Sequence, residues 1–191
     1  SRFFFCIADA SGKGISAALL MSNFQAALRV LIRQTTDLKQ IVRELNYLIY
    51  CNTEGERFIT FFGALYDSSQ KTLTYINSGH NPPVFADENG TCKLLDKGTP
   101  ILGVLHPLPF VHETVFENAD KFMIFAYTDG LTETCNAEDE EFSSEKVFAI
   151  IDQNKALNLN ALHEELMQQL NDFCQGNTYV DDVTLFSCKV L

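Results

Sequence analysis

The chain has 191 residues, of which 46% are hydrophobic and 20% charged, so it can close one hydrophobic core and is short for two independent ones. Its formal charge of -11 repels phosphate backbones and anionic lipid, which argues against nucleic-acid and membrane-surface binding. No uninterrupted apolar run approaches the ~20 residues that span a bilayer, and no basic and then apolar leader opens the chain. We therefore expect a single cytoplasmic domain over residues 1–191.

The six cysteines are scattered along the chain without a CxxC pair, and two of them lie in apolar runs. This pattern favours thiols that serve as small hydrophobic side chains over a disulfide framework or a zinc site. The even number of cysteines is weak evidence for pairing.

The N-terminal third predicts one strand and two helices. The apolar run 3–8 predicts a fully buried strand, and because the chain starts inside it without Met, we expect an excised part of a longer protein, truncated at its N-terminus. A glycine-containing turn follows. Apolar residues at three- and four-residue steps then predict a helix over 15–33 and a second one that ends near Tyr50, with Thr36 or Asp37 as its cap.

After Gly55 the pattern changes to β-branched and aromatic runs separated by turn residues, which predicts antiparallel sheet. The turn residues predict two hairpins: 58–66 with 72–76, and 82–86 with 92–95. Asn89-Gly90 in the second hairpin suits a type I′ turn. The run 121–127 is almost wholly apolar, so we expect it in the centre of a sheet.

Helices return in the last third of the chain. Ser143 or Ser144 opens a short helix, regularly spaced leucines predict a longer one over 159–173, and a strand at 183–190 closes the chain. The acidic run 138–141 is typical of a solvated loop. Strands at both ends and in the middle, with paired helices between them, indicate an α+β fold in which helices cover antiparallel sheets.

Acidic residues stand next to three of the predicted strands: Asp9, Asp129, and Asp181 with Asp182. If these strands are antiparallel neighbours, the carboxylates converge at one rim. Oxygen ligands without a nearby Cys or His pair favour Mg²⁺ or Mn²⁺ over zinc. Ordinary roles also explain the same residues, since Asp9 suits a helix cap, Asp129-Gly130 a turn, and Asp181-Asp182 a polar strand entry.

The turn Ser11-Gly12-Lys13-Gly14 follows a strand and precedes a helix, as the phosphate-binding loop of nucleotide-binding proteins does. Its spacing does not match, because Ile7 stands where that loop has Gly and Gly14 where it has Ser or Thr. A dinucleotide-binding fingerprint would need a third glycine. A nucleotide-binding switch therefore rests on Gly12-Lys13 alone.

Six short motifs occur in order along the chain. They cover residues 8–19, 58–61, 77–83, 98–103, 128–133 and 181–184, and read ADASGKGISAAL, FITF, NSGHNPP, GTPILG, TDGLTE and DDVT. In this order they resemble the bacterial protein phosphatase 2C-like family of the RsbU and stage II sporulation protein E type. The resemblance runs from about Phe3 to the end of the chain.

The resemblance implies a phosphatase 2C-like β-sandwich of mainly antiparallel sheets flanked by helix pairs. It also implies two Mn²⁺ or Mg²⁺ ions and a metal-activated water that hydrolyses phosphoserine or phosphothreonine in proteins. By motif, Asp9 would bridge both ions, the Ala10 carbonyl would bind the second, and Asp129 and Asp181 would complete the first. Asp182 is the weaker candidate of its pair. The implied partners are a phosphorylated anti-sigma-factor antagonist as substrate and an upstream sensor domain.

The chain departs from the family pattern in two ways. Family members carry, upstream of the first strand, a hairpin with a Gly-Asp-x-x-Asp pattern whose first acid helps to hold the second ion, and this chain begins after it. Ala8 stands where the family often has Gly. We expect the truncated chain to lack one ligand and to self-associate through its exposed sheet edge, which leaves its own metal binding and activity open. The alternative function is a catalytically inactive phosphatase-fold module that binds a partner.

Four further residues are weaker candidates. His80 belongs either to a rigid turn or to the site, as a phosphate contact or proton donor. Lys13 either attracts phosphate or is exposed to solvent, and Thr132 and Glu133 are candidates for shaping the loop around Asp129. The other histidines are predicted to be surface or turn residues.

Overall fold

The computed structural model describes residues 1–176 and 179–191, which form two compact units. The first unit comprises Ser1–His80 and Asp96–Ala119, and the second comprises Asn81–Leu95 and Asp120–Leu191. In chain order the elements are β1 (Arg2–Ala10), α1 (Ile15–Gln34), α2 (Leu38–Thr53), β2 (Ile59–Asp67), β3 (Thr72–Ser78), β4 (Val84–Asp87), β5 (Cys92–Leu94), β6 (Gly98–Thr99), β7 (Thr114–Phe116), β8 (Phe122–Tyr127), α3 (Asp129–Thr132), α4 (Ser144–Asn154), α5 (Leu159–Cys174) and β9 (Leu185–Val190). A single domain over residues 1–191 stays a prediction.

The sheet of the first unit has the strand order β1-β2-β3-β6, and β7 also pairs with β3. The pairs β1–β2, β2–β3 and β3–β7 are antiparallel, whereas β6 runs parallel to β3. The predicted hairpin between β2 and β3 is confirmed. Its turn is held by Asp67, whose Oδ1 accepts hydrogen bonds from the backbone N–H groups of Ser69 at 2.9 Å and Gln70 at 3.1 Å.

β1 is an edge strand in this sheet, so the prediction that it is fully buried is wrong. Phe5 and Ile7 are buried, whereas Phe3 is 57% exposed. These three side chains share one face of the strand, and Phe4, Cys6, Ala8 and Ala10 of the other face are partly buried against the core of the first unit. The sequence conceals the exposure of Phe3 because phenylalanines occupy consecutive positions on both faces of the strand.

The two predicted helices of the first unit are confirmed and share one core. Asp37 caps α2, with its Oδ1 accepting a hydrogen bond from the Gln40 N–H at 3.1 Å. Buried residues of both helices pack in a cluster with strand residues: Leu20, Phe24, Leu28, Ile41, Leu45, Ile49, Phe61 and Ile76. The apolar stripes that predicted the helices therefore face each other and the sheet.

Within the described residues, α1 is long and apolar enough by length and composition to cross a membrane. One such helix near the N-terminus is weak evidence for a membrane span, because the core helix of a globular unit passes the same test. Leu20, Phe24 and Leu28 of α1 are buried in the core of the first unit. The cytoplasmic location stays a prediction.

The sheet of the second unit has the antiparallel order β5-β4-β8-β9. All residues of β8 are buried and the strand has a partner on each side, which confirms its predicted central position. The helices α4 and α5 pack through Val147, Ile151, Leu162 and Leu166 into the same core as β8. The predicted elements of this unit are thus confirmed, except that β9 begins at Leu185, two residues after the predicted start.

The β4–β5 hairpin is confirmed, but its predicted type I′ turn is wrong. That turn requires positive φ at both central residues, and here Gly90 has φ 81° whereas Asn89 is not among the residues with positive φ. The Gly90 N–H donates to the Asp87 carbonyl and the Asp87 N–H donates to the Thr91 carbonyl, both at 3.1 Å. The loop is therefore one residue longer than the sequence pattern suggests.

Burial shifts the pKa of two cysteine side chains and one histidine side chain. Burial raises the pKa of the Cys6 and Cys188 thiols to about 11, as expected for thiols that serve as hydrophobic side chains. His163 is not the surface residue predicted. Its Nε2 lies 2.9 Å from the Ser187 Oγ, its ring packs edge-on against Phe125 with centroids 5.0 Å apart, and burial lowers its pKa.

Candidate metal centre

Asp129 opens the one-turn helix α3, directly after the central strand β8 of the second unit. Its carbonyl oxygen accepts hydrogen bonds from the Glu133 N–H at 2.8 Å and from the Thr132 Oγ1 at 3.2 Å. The Thr132 hydroxyl in turn accepts a hydrogen bond from the Asn81 Nδ2 at 3.1 Å. Thr132 therefore holds the turn by binding the backbone carbonyl of Asp129, in agreement with the expectation that Thr132 shapes this loop.

Asp181 and Asp182 precede β9, the antiparallel neighbour of β8, with Tyr127 opposite Leu185. Thr128 joins the two segments through three hydrogen bonds. Its Oγ1 donates to the Asp182 carbonyl at 3.2 Å and accepts from the Thr184 N–H at 3.0 Å, and its N–H donates to the Thr184 carbonyl at 3.1 Å. The exit of β8 and the entry of β9 thus lie side by side, as the sequence predicted for Asp129 and Asp181.

Gly130 lets the Asp181-Asp182 backbone approach the Asp129 turn. A Cβ built on Gly130 would lie 2.4 Å from the Asp182 carbonyl oxygen and 3.1 Å from that of Asp181. Real Cβ atoms do not approach a backbone oxygen as closely as 2.4 Å. Glycine is therefore required at position 130 because a side chain would not fit, and not because the backbone has a positive φ.

The carboxylates of the second unit are close enough to influence one another. The pKa of Glu133 is raised, first by burial and then by the negative charges of Asp129, Glu141 and Asp181. A divalent cation would relieve this repulsion, and oxygen donors fit Mg²⁺ or Mn²⁺. Over residues 1–176 and 179–191, no group of three or more His, Cys, Asp or Glu side chains is arranged to hold an ion by itself. These carboxylates are therefore a partial donor set of the right chemistry.

Asp9 belongs to the first unit and lies within β1, opposite Thr60 of β2. The condition that the acid-bearing strands are neighbours does not hold for the strand of Asp9, because β1 pairs with β2 while β8 pairs with β4 and β9. Neighbouring strands bring Asp129 and Asp181 together but do not include Asp9. Asp9 also stands inside its strand and not after it, since Ala10 still pairs with Ile59.

The backbone after Ala10 is fixed by the residues that precede β2. The Ser11 N–H donates to the Phe58 carbonyl at 2.9 Å, and the Phe58 N–H donates to the Ser11 Oγ at the same distance. The Arg57 Nη1 donates to the Ser11 carbonyl at 3.2 Å. Lys13, two residues further on, is exposed. Sequence reasoning missed Arg57, which directly precedes the motif at 58–61, and assigned no role to Thr128, the first residue of the motif at 128–133.

His80 is buried and participates in two sets of hydrogen bonds. Its Nδ1 lies 2.9 Å from the Thr60 Oγ1, on the strand residue opposite Asp9. Its N–H donates to the Asn77 Oδ1 at 2.8 Å, and the Asn77 Nδ2 donates to its carbonyl at 3.0 Å. These contacts support the role in a rigid turn that the sequence suggested as one of two alternatives.

Cys51 and Arg57 have the Cys-x5-Arg spacing found in thiol-dependent phosphatases, in which a loop presents the thiol. Here Cys51 lies inside the helix α2, which continues to Thr53. The Arg57 guanidinium contacts the Ser11 carbonyl instead of surrounding the thiol. This geometry does not support a cysteine nucleophile.

The comparison that decides the family is with stage II sporulation protein E (SpoIIE), whose family model matches residues 1–191. The chain belongs to this family. It is 32% identical to the phosphoserine phosphatase RsbU of Bacillus subtilis (strain 168) over 134 residues, which is 69% of this chain and 39% of RsbU. The chain spans 32–39% of the length of the curated relatives that it matches.

Solved structures show the fold of this SpoIIE-family chain. The SiaA-PP2C domain of Pseudomonas aeruginosa has a TM-score of 0.81 at 15% identity, covering 97% of this chain and 79% of that one. The catalytic domain of the serine threonine protein phosphatase PstP, solved with two manganese ions, has a TM-score of 0.68 at 14% identity, covering 100% and 90%. The predicted α+β, phosphatase 2C-like fold is confirmed.

Proposed function

We propose that the chain is the catalytic domain of a metal-dependent protein phosphatase that removes phosphate from serine or threonine of a regulatory protein. The observation that carries this proposal is that the Asp129 turn lies beside the Asp181-Asp182 segment at the joined ends of β8 and β9, with Gly130 and Thr128 holding the two backbones together. Membership of the SpoIIE family and the phosphoserine phosphatase RsbU among its relatives support the reaction class.

The proposed metal ligands are the carboxylates of Asp9, Asp129 and Asp181 and the carbonyl oxygen of Ala10. When bound, Mn²⁺ or Mg²⁺ supplies hydroxide at neutral pH and neutralises charge on the phosphoryl oxygens. The chain supplies oxygen donors at fixed backbone positions, and Thr132 and Thr128 keep the Asp129 and Asp182 carbonyls in place. The two manganese ions of PstP support the choice of metal.

The test is Mn²⁺-dependent hydrolysis of a phosphoserine peptide by this chain and by the longer protein that includes the sequence upstream of Ser1. We expect a protein that carries the acid-bearing hairpin implied by the family resemblance to be active. Asp129→Asn should lower kcat by about 100-fold or more, since it removes a charged ligand. Asp139→Asn, an equal change in the exposed loop of the same unit, should leave kcat unchanged.

The outcomes separate the candidate functions. Equal activity of Asp129→Asn and Asp139→Asn would contradict the metal-ligand role, and loss of activity in Cys51→Ser would point to a thiol mechanism. A folded longer protein that binds Mn²⁺ and hydrolyses no phosphopeptide would favour the inactive, partner-binding module. The partial donor set of the described residues is the observation that keeps this second function in consideration.

The proposed substrate is a phosphorylated anti-sigma-factor antagonist, and the proposed regulator is an upstream sensor domain in a cytoplasmic protein. The matches with this chain cover only part of the length of its relatives, which fits a chain that works beside other domains. Dephosphorylation of the antagonist should be faster than that of an unrelated phosphoserine protein when both are present. Equal rates for the two substrates would remove the antagonist from the proposal.

A further inference from the structure

Arg57 lies between α2 and β2 and places its guanidinium on the turn that follows Asp9. Its Nη1 donates a hydrogen bond to the Ser11 carbonyl at 3.2 Å. A Cβ built on Gly12 would lie 1.9 Å from the same Nη1 and 3.2 Å from the Arg57 Cζ. The guanidinium therefore fills the space that any side chain at position 12 would occupy.

The turn receives two further contacts from the neighbouring residue of the same segment. Phe58 exchanges hydrogen bonds with Ser11, one through each backbone N–H, both 2.9 Å long. Arg57 and Phe58 thus bind the amide, the hydroxyl and the carbonyl of Ser11. The Ser11 N–H and the Ala10 carbonyl belong to the same planar peptide group. The contacts that hold Ser11 therefore also fix the direction of the Ala10 carbonyl.

Within the described part of the chain, no ion pair accounts for the position of the Arg57 charge. Among the residues that the structure describes, none of the ion pairs includes Arg57, and the chain has only four other arginines. A half-buried guanidinium that binds a neutral carbonyl gives up part of its hydration without gaining a paired charge. The contact with the turn after Asp9 is what explains its position.

We propose that Arg57 is a positioning residue, which holds the Asp9-Ala10-Ser11 turn in its metal-binding conformation, and that Gly12, which the positive φ already favours, also leaves room for the guanidinium. The inference rests on the proposed function, because it assumes that Asp9 and the Ala10 carbonyl are ligands. It assigns Arg57 no contact with substrate.

The first experiment measures the Mn²⁺ dissociation constant by calorimetry, without substrate, in the longer protein that includes the upstream sequence. We expect Arg57→Ala to raise this constant by about 10- to 100-fold, the usual effect of losing a residue that orients a metal ligand. Arg43→Ala removes the same charge from an exposed position on α2 and should leave the constant unchanged. Arg57→Lys, which keeps a donor and the charge, should restore part of the affinity.

The activity of the same proteins gives a readout that a loss of global stability would not give. For Arg57→Ala, kcat at limiting Mn²⁺ should fall and should return toward the parent value as Mn²⁺ is raised, while KM for the phosphopeptide stays constant. Faster amide hydrogen exchange at Ser11 and Phe58 should accompany the change, since both N–H groups are bonded within the turn.

Gly12→Ala tests the same contact from the other side. Gly14→Ala is its matched control, because both glycines have positive φ, 91° and 75°, but a Cβ on Gly14 meets no atom within 4 Å. Gly12→Ala should weaken Mn²⁺ binding and Gly14→Ala should not. In the Gly12→Ala/Arg57→Ala double variant the effects should be less than additive, because each change removes the same contact.

Three results are distinguishable. If Arg57→Ala and Arg43→Ala bind Mn²⁺ equally well, the positioning role is overturned while the proposed function stands. Faster exchange at Ser11 without weaker Mn²⁺ binding would also overturn it, since the contact would then be only structural. If the parent protein binds no Mn²⁺, the proposed function fails and the positioning role fails with it.

Discussion

Replacing Thr128 with valine removes the hydroxyl that joins the Asp129 turn to the Asp181-Asp182 segment and keeps the shape of the side chain. The buried Oγ1 makes two hydrogen bonds, at 3.2 Å to the Asp182 carbonyl and at 3.0 Å from the Thr184 N–H. Each contributes a net ~0.5–1.5 kcal/mol, and the added methyl group returns about 0.8 kcal/mol. We expect the free energy of unfolding to fall by about 0.2–2 kcal/mol, and Tm by up to about 8 °C for a chain of this size.

The assay combines urea unfolding of the metal-free protein with Mn²⁺ calorimetry. Thr99→Val is the matched control, because the Thr99 Oγ1 is also buried and donates to a backbone carbonyl, that of Phe110, at 2.7 Å. Both variants should lose stability. Of the two variants, only Thr128→Val should also raise the Mn²⁺ dissociation constant, by about 10-fold. The Thr128 hydroxyl contacts the backbone of a proposed ligand segment, whereas the Thr99 hydroxyl does not.

Two results would refute this reasoning at different steps. A stability of Thr128→Val equal to that of the parent would show that the two hydrogen bonds contribute nothing net to folding. Equal Mn²⁺ affinities for Thr128→Val and Thr99→Val would show that the Asp181-Asp182 segment keeps its place without the hydroxyl.

Three further predictions follow from other contacts. Gly130→Ala should lower the free energy of unfolding by about 1–3 kcal/mol in thermal or urea unfolding, because its Cβ would overlap the Asp182 carbonyl oxygen; unchanged stability would contradict the contact. Burial lowers the pKa of His163 below 6.5, so the unfolded state binds more protons and stability is lost as the pH falls through 6.5; His163→Gln should flatten this dependence, and identical profiles would count against it. Self-association through the edge of β1 should appear as concentration-dependent sedimentation that Phe3→Lys reduces, whereas a monodisperse parent would exclude it.

Local features of the fold could be predicted because each depends on a few adjacent residues. Asp37 caps α2 and Asp67 holds the β2–β3 turn through bonds to residues two or three positions away. The Asn89-Gly90 turn shows the limit of such reasoning. The dipeptide suits a two-residue turn, but the bond from Asp87 to Thr91 closes a longer loop, and it depends on strand register that the dipeptide does not contain.

Strand partners could not be predicted in the same way, because pairing joins residues that are far apart in the chain. An acid beside an apolar run marks the end of a strand and says nothing about which strand lies beside it. The condition of neighbouring strands is therefore met for Asp129 and Asp181, which flank the paired strands β8 and β9, and not for Asp9, whose strand pairs with β2. The burial of β1 was misjudged for the same reason, since its edge position follows from the strand order.

The positioning residues escaped the sequence analysis although each left a signal. Gly12 and Gly130 stand in motifs, and Gly130 has no positive φ that would require a glycine, which indicates a close neighbour. The identity of that neighbour depends on the tertiary structure. Arg57 lies 45 residues after Gly12 and the Asp182 carbonyl lies 52 residues after Gly130, so only the folded chain identifies them.

Three of the contacts around the proposed ligands bind backbone carbonyls. Arg57 donates to the Ser11 carbonyl, Thr128 to that of Asp182, and Thr132 to that of Asp129. The conformation of each segment is thereby held through its backbone, while burial first and then the negative charges of Asp129, Glu141 and Asp181 raise the pKa of Glu133. Repulsion of this kind lowers the stability of the metal-free protein and favours cation binding, so the acids act against folding and in favour of the ion. A site built in this way needs separate residues to hold the backbone, which is the role that Arg57 and Thr128 have here.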